Sequence, residues 1–292
     1  MLFIYIALIF LATVDARVLQ RPEFHRVHRR DIANFVNDPI NGGPVSLGWA
    51  QVPHYLSPMY SPLIEKQYDI GYLKSFTYTY LLACENTGQA VIIDPVKETV
   101  ERDTKIIKEL GLDLRYGINT HVHADHVTGT GKLKLEFPKM ESILSFRSGG
   151  KADRLVKDGD KILFGEKCLE VRCTPGHTDG CTTFVWHEQR CAFTGDALLV
   201  RSNGRTDFQQ GKAEALYDSV KSKILSLPDD YNLYIGHNYH GILQTSVGEE
   251  KRHSPRFTLS KEKFVEFMKN LKLEKPKQID IAIPRNMNDG EG

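Results

Sequence analysis

The 292-residue sequence predicts an α/β fold in which two sheets are sandwiched between helices. Strand-like runs and amphipathic helical runs alternate along residues 67–292, an order that favours layered sheets and helices. Metal-capable polar side chains directly follow several of the strand-like runs, so the predicted strands end at a common candidate site. A chain of this length can bury a sizeable core.

Residues 1–66 are expected to precede the ordered domain. Residues 1–30 join an apolar run to an Arg- and His-rich stretch, which is typical either of a secretory signal cleaved after Ala16 or of an organelle transit peptide. The apolar run of about 14 residues is short for a membrane span, so stable membrane insertion is not expected. Residues 31–66 are irregular and contain several prolines and glycines, which predicts a linker or an extension.

Composition argues against a nucleic-acid partner and against a disulfide framework. Lys+Arg 38 nearly balance Asp+Glu 37, so no basic stripe indicates binding to a phosphate backbone. The five cysteines show no CxxC spacing and mostly lie within or beside apolar runs. They are Cys84, Cys168, Cys173, Cys181 and Cys191. We expect these thiols to be reduced.

The first ordered elements are a predicted hairpin and a helix. Residues 76–84 and 89–95 are rich in β-branched, aromatic and aliphatic residues and flank a short turn, which predicts two buried strands. Residues 98–110 combine apolar and charged side chains in an amphipathic helical pattern that Gly111 ends. Residues 116–120 follow as a short apolar-leaning run, which predicts a buried strand.

The later elements continue this alternation. The pattern predicts a helix over residues 128–137, a helix over 213–227, a strand over 231–235 and a last helix from residue 260. Between the first two helices it predicts five short strands, over residues 142–146, 161–164, 168–173, 181–186 and 191–193. The last helix keeps apolar side chains at a spacing of about 3.6 residues, with Lys and Glu outside.

Residues 121–126 carry four metal-capable side chains in the order His-Val-His-Ala-Asp-His. In extended backbone, side chains two positions apart point the same way, so His121, His123 and Asp125 can converge on one point. His126 can reach the same point from the turn. The alternative is a set of polar loop residues that only hydrogen-bond one another. Neutral imidazoles packed beside a carboxylate are costly unless a cation compensates, and we therefore expect a metal site.

Three further candidates each follow a glycine at the end of a predicted strand: His177, Asp196 and His237. Glycine permits a tight turn that presents the next side chain at the strand's end. Imidazole and carboxylate donors together suit zinc, iron or manganese rather than calcium. Because these loops contain no thiolate, an open catalytic site is favoured over a closed structural one.

The ordered motifs HxHxDH, PGHT, TGD and GH resemble those of the metallo-β-lactamase superfamily, which implies an αβ/βα four-layer sandwich. Within it, residues 204–211, 237–241 and 284–287 are similar to the persulfide dioxygenases of mitochondrial sulfide oxidation, the family of the ethylmalonic encephalopathy protein. The resemblance implies oxidation of glutathione persulfide with O2 to sulfite and glutathione. It also implies one non-haem Fe(2+) per subunit and the mitochondrial matrix, with the secretory pathway through residues 1–16 as the alternative location.

The same resemblance, carried over by position, implies that His121, His177 and Asp196 are the iron ligands, which leaves positions open for water, O2 and the persulfide sulfur. The other four donors would orient ligands and solvent, or line a vacant second site. They are His123, Asp125, His126 and His237.

Two pocket residues are also implied by position, Arg205 and Tyr239. Arg205 would hold a glutathione carboxylate or the anionic oxidised sulfur through paired hydrogen bonds. An ion pair with Asp207 is the alternative for this side chain. The chain departs from the family at Asn238, where relatives commonly have Asp, and at Asp289, where they commonly have Cys. Thiol chemistry at the second position therefore does not transfer.

Two other functions remain open from the sequence. A glyoxalase II-like hydroxyacylglutathione hydrolase would use all seven donors to hold two metals and to hydrolyse S-acylglutathione through a metal-bound hydroxide. Residues 204–211 and the C-terminal ending favour the dioxygenase instead. The other alternative is a non-catalytic metal- or thiol-binding module. The sequence leaves the oligomeric state open, with a homodimer as one alternative.

Overall fold

The computed structural model of the chain describes residues 6–8, 76–238 and 242–291. Within these residues, the first of two sheets has six strands in chain order. They are β1 (Ile6–Leu8), β2 (Tyr80–Ala83), β3 (Gln89–Ile93), β4 (Asp113–Ile118), β5 (Glu141–Ser145) and β6 (Arg154–Val156). The pairs β1–β2 and β2–β3 are antiparallel, and the pairs from β3 to β6 are parallel. The predicted hairpin and the strand before the histidines are confirmed.

The second sheet also has six strands in the described part of the chain, again in sequence order from one edge to the other. They are β7 (Lys161–Phe164), β8 (Lys167–Cys173), β9 (Thr182–Trp186), β10 (Cys191–Gly195), β11 (Asn232–Ile235) and β12 (Gln244–Ser246). The pair β10–β11 is parallel, whereas the other pairs are antiparallel. Because β8 and β10 are not neighbours, their C-terminal loops approach the site from separate positions in the sheet.

Helices cover the outer faces of both sheets. They are α1 (Val100–Glu109), α2 (Thr130–Glu136), α3 (Ala213–Ser219), α4 (Val247–His253), α5 (Lys261–Asn270) and α6 (Ile279–Asn286), and Val220–Ile224 extends α3 as a π-helical stretch. One buried apolar cluster joins α1 and α2 to the first sheet, and another joins α3 and α5 to the second. Tyr80 packs between the sheets, 5.1 Å from Phe193 between ring centroids. The layers follow the predicted order αβ/βα.

The structure corrects the prediction that the helix from residue 260 is the last. Helix α6 follows it and contains Pro284 in its interior. A proline removes one backbone donor and disfavours a helix interior, so this short segment gave a weak helical signal. The three-residue strands β6 and β12 and the seven-residue helix α4 were also missed, because such short elements show too little periodicity.

The predicted segments 1–30 and 31–66 lie outside the described residues, apart from residues 6–8, and their roles stay predictions. In those three residues, Ile6 pairs with Leu82 in antiparallel register. None of the described helices is both long enough and apolar enough to cross a membrane. All five cysteines are free thiols, as predicted.

Candidate metal centre

Three of the predicted ligands meet where strands of both sheets end. His121 follows β4 of the first sheet, while His177 and Asp196 follow β8 and β10 of the second. Each side chain offers one ligand atom, and these three atoms lie within 4.8 Å of one another. The sequence places the three residues up to 75 positions apart, and the fold brings them to one point.

Hydrogen bonds fix which nitrogen each imidazole presents. His177 Nδ1 donates to the carbonyl of Arg205 at 2.6 Å, and its Nε2 lies 3.7 Å from Asp196 Oδ2. His121 Nδ1 lies 3.0 Å from Thr120 Oγ1. When one ring nitrogen is engaged in this way, the other is left as the metal donor with a fixed ring orientation.

The protonation states suit metal binding. Burial, and then the neighbouring His123 and His177, hold the pKa of His121 well below its ordinary value, so this imidazole is neutral at pH 7. Burial opposes ionisation of Asp196, yet the adjacent His237 and His177 outweigh it and hold the pKa of this carboxyl below its ordinary range. Neutral imidazole and ionised carboxylate are the forms that coordinate metals.

Glycines make the close approach possible, as the sequence pattern predicted. Gly195, before Asp196, has φ +51°, in the left-handed region that glycine adopts without strain. Gly236, before His237, lies so close to the site that a Cβ there would stand 2.5 Å from Asp196 Oδ1. Any side chain at residue 236 would therefore displace the carboxylate.

The remaining donors form a second group beside the first. His123, Asp125 and His126 also offer ligand atoms within 4.8 Å of one another. His237 joins the two groups, with Nδ1 2.6 Å from Asp196 Oδ1 and Nε2 2.9 Å from Asp125 Oδ2. Burial lowers the pKa of His237, but the two carboxylates outweigh it and raise that pKa well above its ordinary value. One Asp196 oxygen is thus occupied by His237, and the other faces His177.

Asp94 is a buried aspartate that the sequence analysis did not identify, and it contacts the histidine loop. Asp94 accepts hydrogen bonds from Thr120 N at 2.7 Å and Thr120 Oγ1 at 2.9 Å, and it lies 3.1 Å from His123 Nε2. It follows β3 directly and has φ 52°. A carboxylate directly after a buried strand was the available signal, but no histidine or glycine motif marked it.

Two more polar residues that the motifs did not identify hold the site. Asn286, on α6, donates through Nδ2 to the carbonyls of His123 at 2.9 Å and His126 at 2.8 Å. Thr77 places its hydroxyl within 3.2 Å of side-chain atoms of Asp125, His126 and His237. These contacts join segments far apart in sequence, so local sequence patterns could not predict them.

The predicted pocket residues have mixed outcomes. The Arg205 guanidinium makes a two-point ion pair with Asp207, each contact 2.7 Å long, and donates to the Leu273 and Glu274 carbonyls. The ion pair that the sequence left as an alternative is therefore present, and a substrate role for Arg205 stays a prediction. Tyr239 lies outside the described residues.

The two departures from the family pattern have ordinary hydrogen-bonding roles. Asn238 Oδ1 accepts the backbone N–H of Ile242 at 3.0 Å. Asp289 lies 3.3 Å from Lys134 Nζ on the α2 side of the first sheet. A carboxylate at residue 289 forms an ion pair there, so no thiol chemistry is available at this position.

The chemistry of the donors fits a catalytic transition metal. Two imidazoles and one carboxylate leave a metal's remaining coordination positions to solvent and substrate. Neither donor group contains a cysteine. Burial raises the pKa of the Cys181 thiol to about 12, and Thr178 hydrogen-bonds its sulfur. The fold and the site together define a metal-dependent enzyme of the αβ/βα sandwich class.

Comparison with known proteins agrees with this class. The metallo-beta-lactamase superfamily matches residues 74–237, and a family described as a protein of unknown function (DUF1412) matches residues 16–66. The mitochondrial persulfide dioxygenase ETHE1 of Mus musculus is 55% identical over 74% of this chain and 85% of its own length. The crystal structure of ETHE1 from Myxococcus xanthus has a TM-score of 0.72 and 46% identity, covering 74% of this chain and 96% of that one. The hydroxyacylglutathione hydrolase GloC of Haemophilus influenzae is 32% identical over 62% of this chain and 93% of its own length.

The chain belongs to the metallo-beta-lactamase superfamily and, within it, to the persulfide dioxygenases. It is a metal-binding oxidoreductase that acts on a small molecule. Identity to the dioxygenase exceeds identity to the hydrolase by 23 percentage points, 55% against 32%.

Proposed function

We propose that the chain oxidises glutathione persulfide with O2 to sulfite and glutathione at a single Fe(2+) held by His121, His177 and Asp196. The observation that supports this most is the convergence of these three donors within 4.8 Å. A ferrous ion bound there would supply the redox chemistry and the open coordination positions that O2 activation needs. Each turnover consumes one persulfide, one O2 and one water, and releases one glutathione, one sulfite and two protons.

Hydrogen bonds within the chain engage one polar atom of Asp196 and one of His177, which leaves the other atom of each side chain for the metal. His237 occupies Asp196 Oδ1 at 2.6 Å, so the carboxylate has one oxygen left for the metal. The Arg205 carbonyl holds the His177 ring through Nδ1. Two imidazole nitrogens and one carboxylate oxygen would thereby hold the metal as single-atom ligands, and its remaining coordination positions would be open to small molecules.

Residues 204–211 are the proposed substrate-binding segment. Gln209 Nε2 donates to the Val122 carbonyl at 2.7 Å, so this segment lies directly against the histidine loop. The Arg205 side chain is 15% exposed, whereas its partner Asp207 is 52% exposed. A glutathione carboxylate would replace the more exposed Asp207 on the guanidinium, which retains its stacking on Phe208. Tyr239 is proposed as a second pocket residue on the resemblance alone.

A two-metal hydrolase is the competing function, and the second donor group favours it. His123, Asp125 and His126 lie within 4.8 Å of one another, next to the first group. A second metal held there, with His237 beside Asp125 as a further donor, would supply the chemistry that hydrolyses S-acylglutathione. Metal stoichiometry and product therefore distinguish the two functions.

We also propose the mitochondrial matrix as the compartment and residues 1–30 as the targeting segment. The support is the similarity to the mitochondrial persulfide dioxygenases ETHE1 of Mus musculus, Bos taurus and Homo sapiens. A homodimer stays a prediction. Imaging of the full-length chain tagged at its C-terminus tests the compartment, since colocalisation with a secretory marker would contradict the proposal.

The proposed reaction is tested with protein purified anaerobically and supplied with glutathione persulfide. We expect persulfide-dependent O2 consumption, stoichiometric sulfite, and one iron per chain. Asp196→Ala should lose the activity while retaining the wild-type circular dichroism spectrum. Hydrolysis of S-lactoylglutathione without sulfite formation, in protein that holds two metals, would instead establish the hydrolase.

A further inference from the structure

A threonine hydroxyl lies among the atoms that a second metal would need. Thr77 Oγ1 is 3.1 Å from Asp125 Oδ2, 3.2 Å from His126 Nδ1 and 3.1 Å from His237 Nε2. Asp125 Oδ2 is itself 3.1 Å from His126 Nδ1 and 2.9 Å from His237 Nε2. The hydroxyl and the three donors thus form one compact hydrogen-bonded cluster.

The hydroxyl competes with a second cation for the same donor side chains. Each of the three side chains has one atom within 3.1–3.2 Å of the hydroxyl, and Asp125 Oδ2 also contacts His126 Nδ1 and His237 Nε2. A cation held by the same side chains would lie about 2.0–2.2 Å from its donor atoms. It could bind there only after these hydrogen bonds had broken.

The backbone holds Thr77 in this place. Thr77 forms an isolated antiparallel bridge with His237, and Tyr78 N donates to the Gly236 carbonyl at 2.9 Å. The preceding residue, Phe76, has φ 51°. The backbone of Thr77 is therefore anchored between the entry to β2 and the loop after β11, and the residue cannot leave the site without breaking contacts between the two sheets.

We propose that Thr77 excludes a second metal ion from the Asp125, His126 and His237 site and so determines that this fold carries a one-metal centre. The inference rests on the proposed one-metal function and adds the residue that enforces it. Thr77 is a specificity-determining residue: its hydroxyl contacts one atom of each side chain that would otherwise bind the second cation of a hydrolytic centre.

The test counts bound metal after reconstitution. Metal-free wild type, Thr77→Ala, Thr77→Ser and Thr79→Ala are incubated anaerobically with excess Fe(II) or Zn(II), separated from free metal, and analysed by elemental mass spectrometry. Thr79 is the matched control, since its hydroxyl donates to the Asp94 carbonyl and not to Asp125, His126 or His237. Thermal unfolding scans confirm that every variant is folded before its metal is counted.

We expect one metal per chain in the wild type, in Thr77→Ser and in Thr79→Ala, and two in Thr77→Ala. One metal in folded Thr77→Ala would overturn the inference while leaving the one-metal function intact. Two metals in the wild type would instead contradict the proposed function. Two in the wild type with one in Thr77→Ala would mean that Thr77 is itself a ligand, which also overturns the inference.

Discussion

At the scale of single residues, the metal donors are held by side chains whose own hydrogen bonds are satisfied. Asn286 uses Nδ2 for two carbonyls of the histidine loop and Oδ1 to accept Thr128 N at 2.8 Å. Asp94 accepts a hydrogen bond from Thr120 N and lies within hydrogen-bond distance of His123 Nε2. The donors were predictable because histidines cluster in sequence, whereas Asn286 contacts residues about 160 positions away and leaves no local pattern.

Asn286→Ala should weaken metal binding. The change leaves the carbonyls of His123 and His126 without their donor and lets the histidine loop relax, and outer partners of this kind contribute about 10–100-fold to metal affinity. Competition against a chelator of known Fe(II) affinity measures the effect. Asn288→Ala is the matched control, because its amide donates at the surface to Pro284 O. Equal affinities in the two variants would contradict this role.

Asp153→Asn should remove a stabilisation that depends on pH. Burial opposes ionisation of Asp153, but Lys134 and Ser142 outweigh it and hold the pKa of this carboxyl below its ordinary value. A carboxyl with a lowered folded-state pKa stabilises the fold above its unfolded pKa of about 3.9, and that stability is lost as the pH falls through the folded-state value.

Urea unfolding of wild type and Asp153→Asn across pH measures this difference. We expect the wild type to be more stable at pH 7 and the gap to narrow below about pH 4. Asp280→Asn serves as the control, because Asp280 is 78% exposed in its pair with Lys275 and should contribute little. A gap that stays constant down to low pH would show that the charge of Asp153 is irrelevant.

At the scale of secondary-structure elements, sequence periodicity predicted the longer elements and missed the short ones. Helix α5 was recognised because Phe264 and Met268 keep helical spacing, and the structure shows both side chains buried. Helix α6 was not recognised because Pro284 interrupts its pattern. Helix α6 buries Ile279, Ala282 and Asn286, and Asn286 hydrogen-bonds the histidine loop. Long-range contacts of this kind do not appear in local helix propensity.

Phe264→Ala should destabilise the second half of the sandwich. The ring is fully buried and lies 5.4 Å from Phe257 and 5.3 Å from Tyr217 between centroids. Truncation of a buried phenylalanine costs about 3–5 kcal/mol through lost burial and the cavity that remains. Phe267→Ala on the same helix is the control, since that ring is 40% exposed. Equal losses in urea unfolding would contradict this assignment of the core.

At the scale of the whole molecule, the candidate metal centre lies where loops of both sheets meet. The first sheet supplies His121 and the second supplies His177 and Asp196. The alternation of strands and helices predicted two sheets between helices, but not the order of strands within each sheet. That order depends on pairings such as β10 with β11, whose sequence separation is about 40 residues, and strand-like runs alone do not encode their partners.

Because a metal held by His121, His177 and Asp196 would join loops from both sheets, its removal should lower the stability of the whole domain. A ligand present at 100 times its Kd stabilises by about 2.7 kcal/mol, which raises the Tm of a domain of this size by roughly 5–10 °C. Calorimetry of metal-free and Fe(II)-loaded protein measures the shift. Asp196→Ala should show almost none. An unfolded metal-free protein would indicate a structural role for the metal instead.

The proposed reaction requires one iron bound by His121, His177 and Asp196. Anomalous diffraction at the iron absorption edge, from crystals of anaerobically purified protein, tests this directly. We expect a single anomalous peak within about 2.0–2.3 Å of the two imidazole nitrogens and one carboxylate oxygen. A second peak between Asp125, His126 and His237, or a single peak at that place, would contradict it.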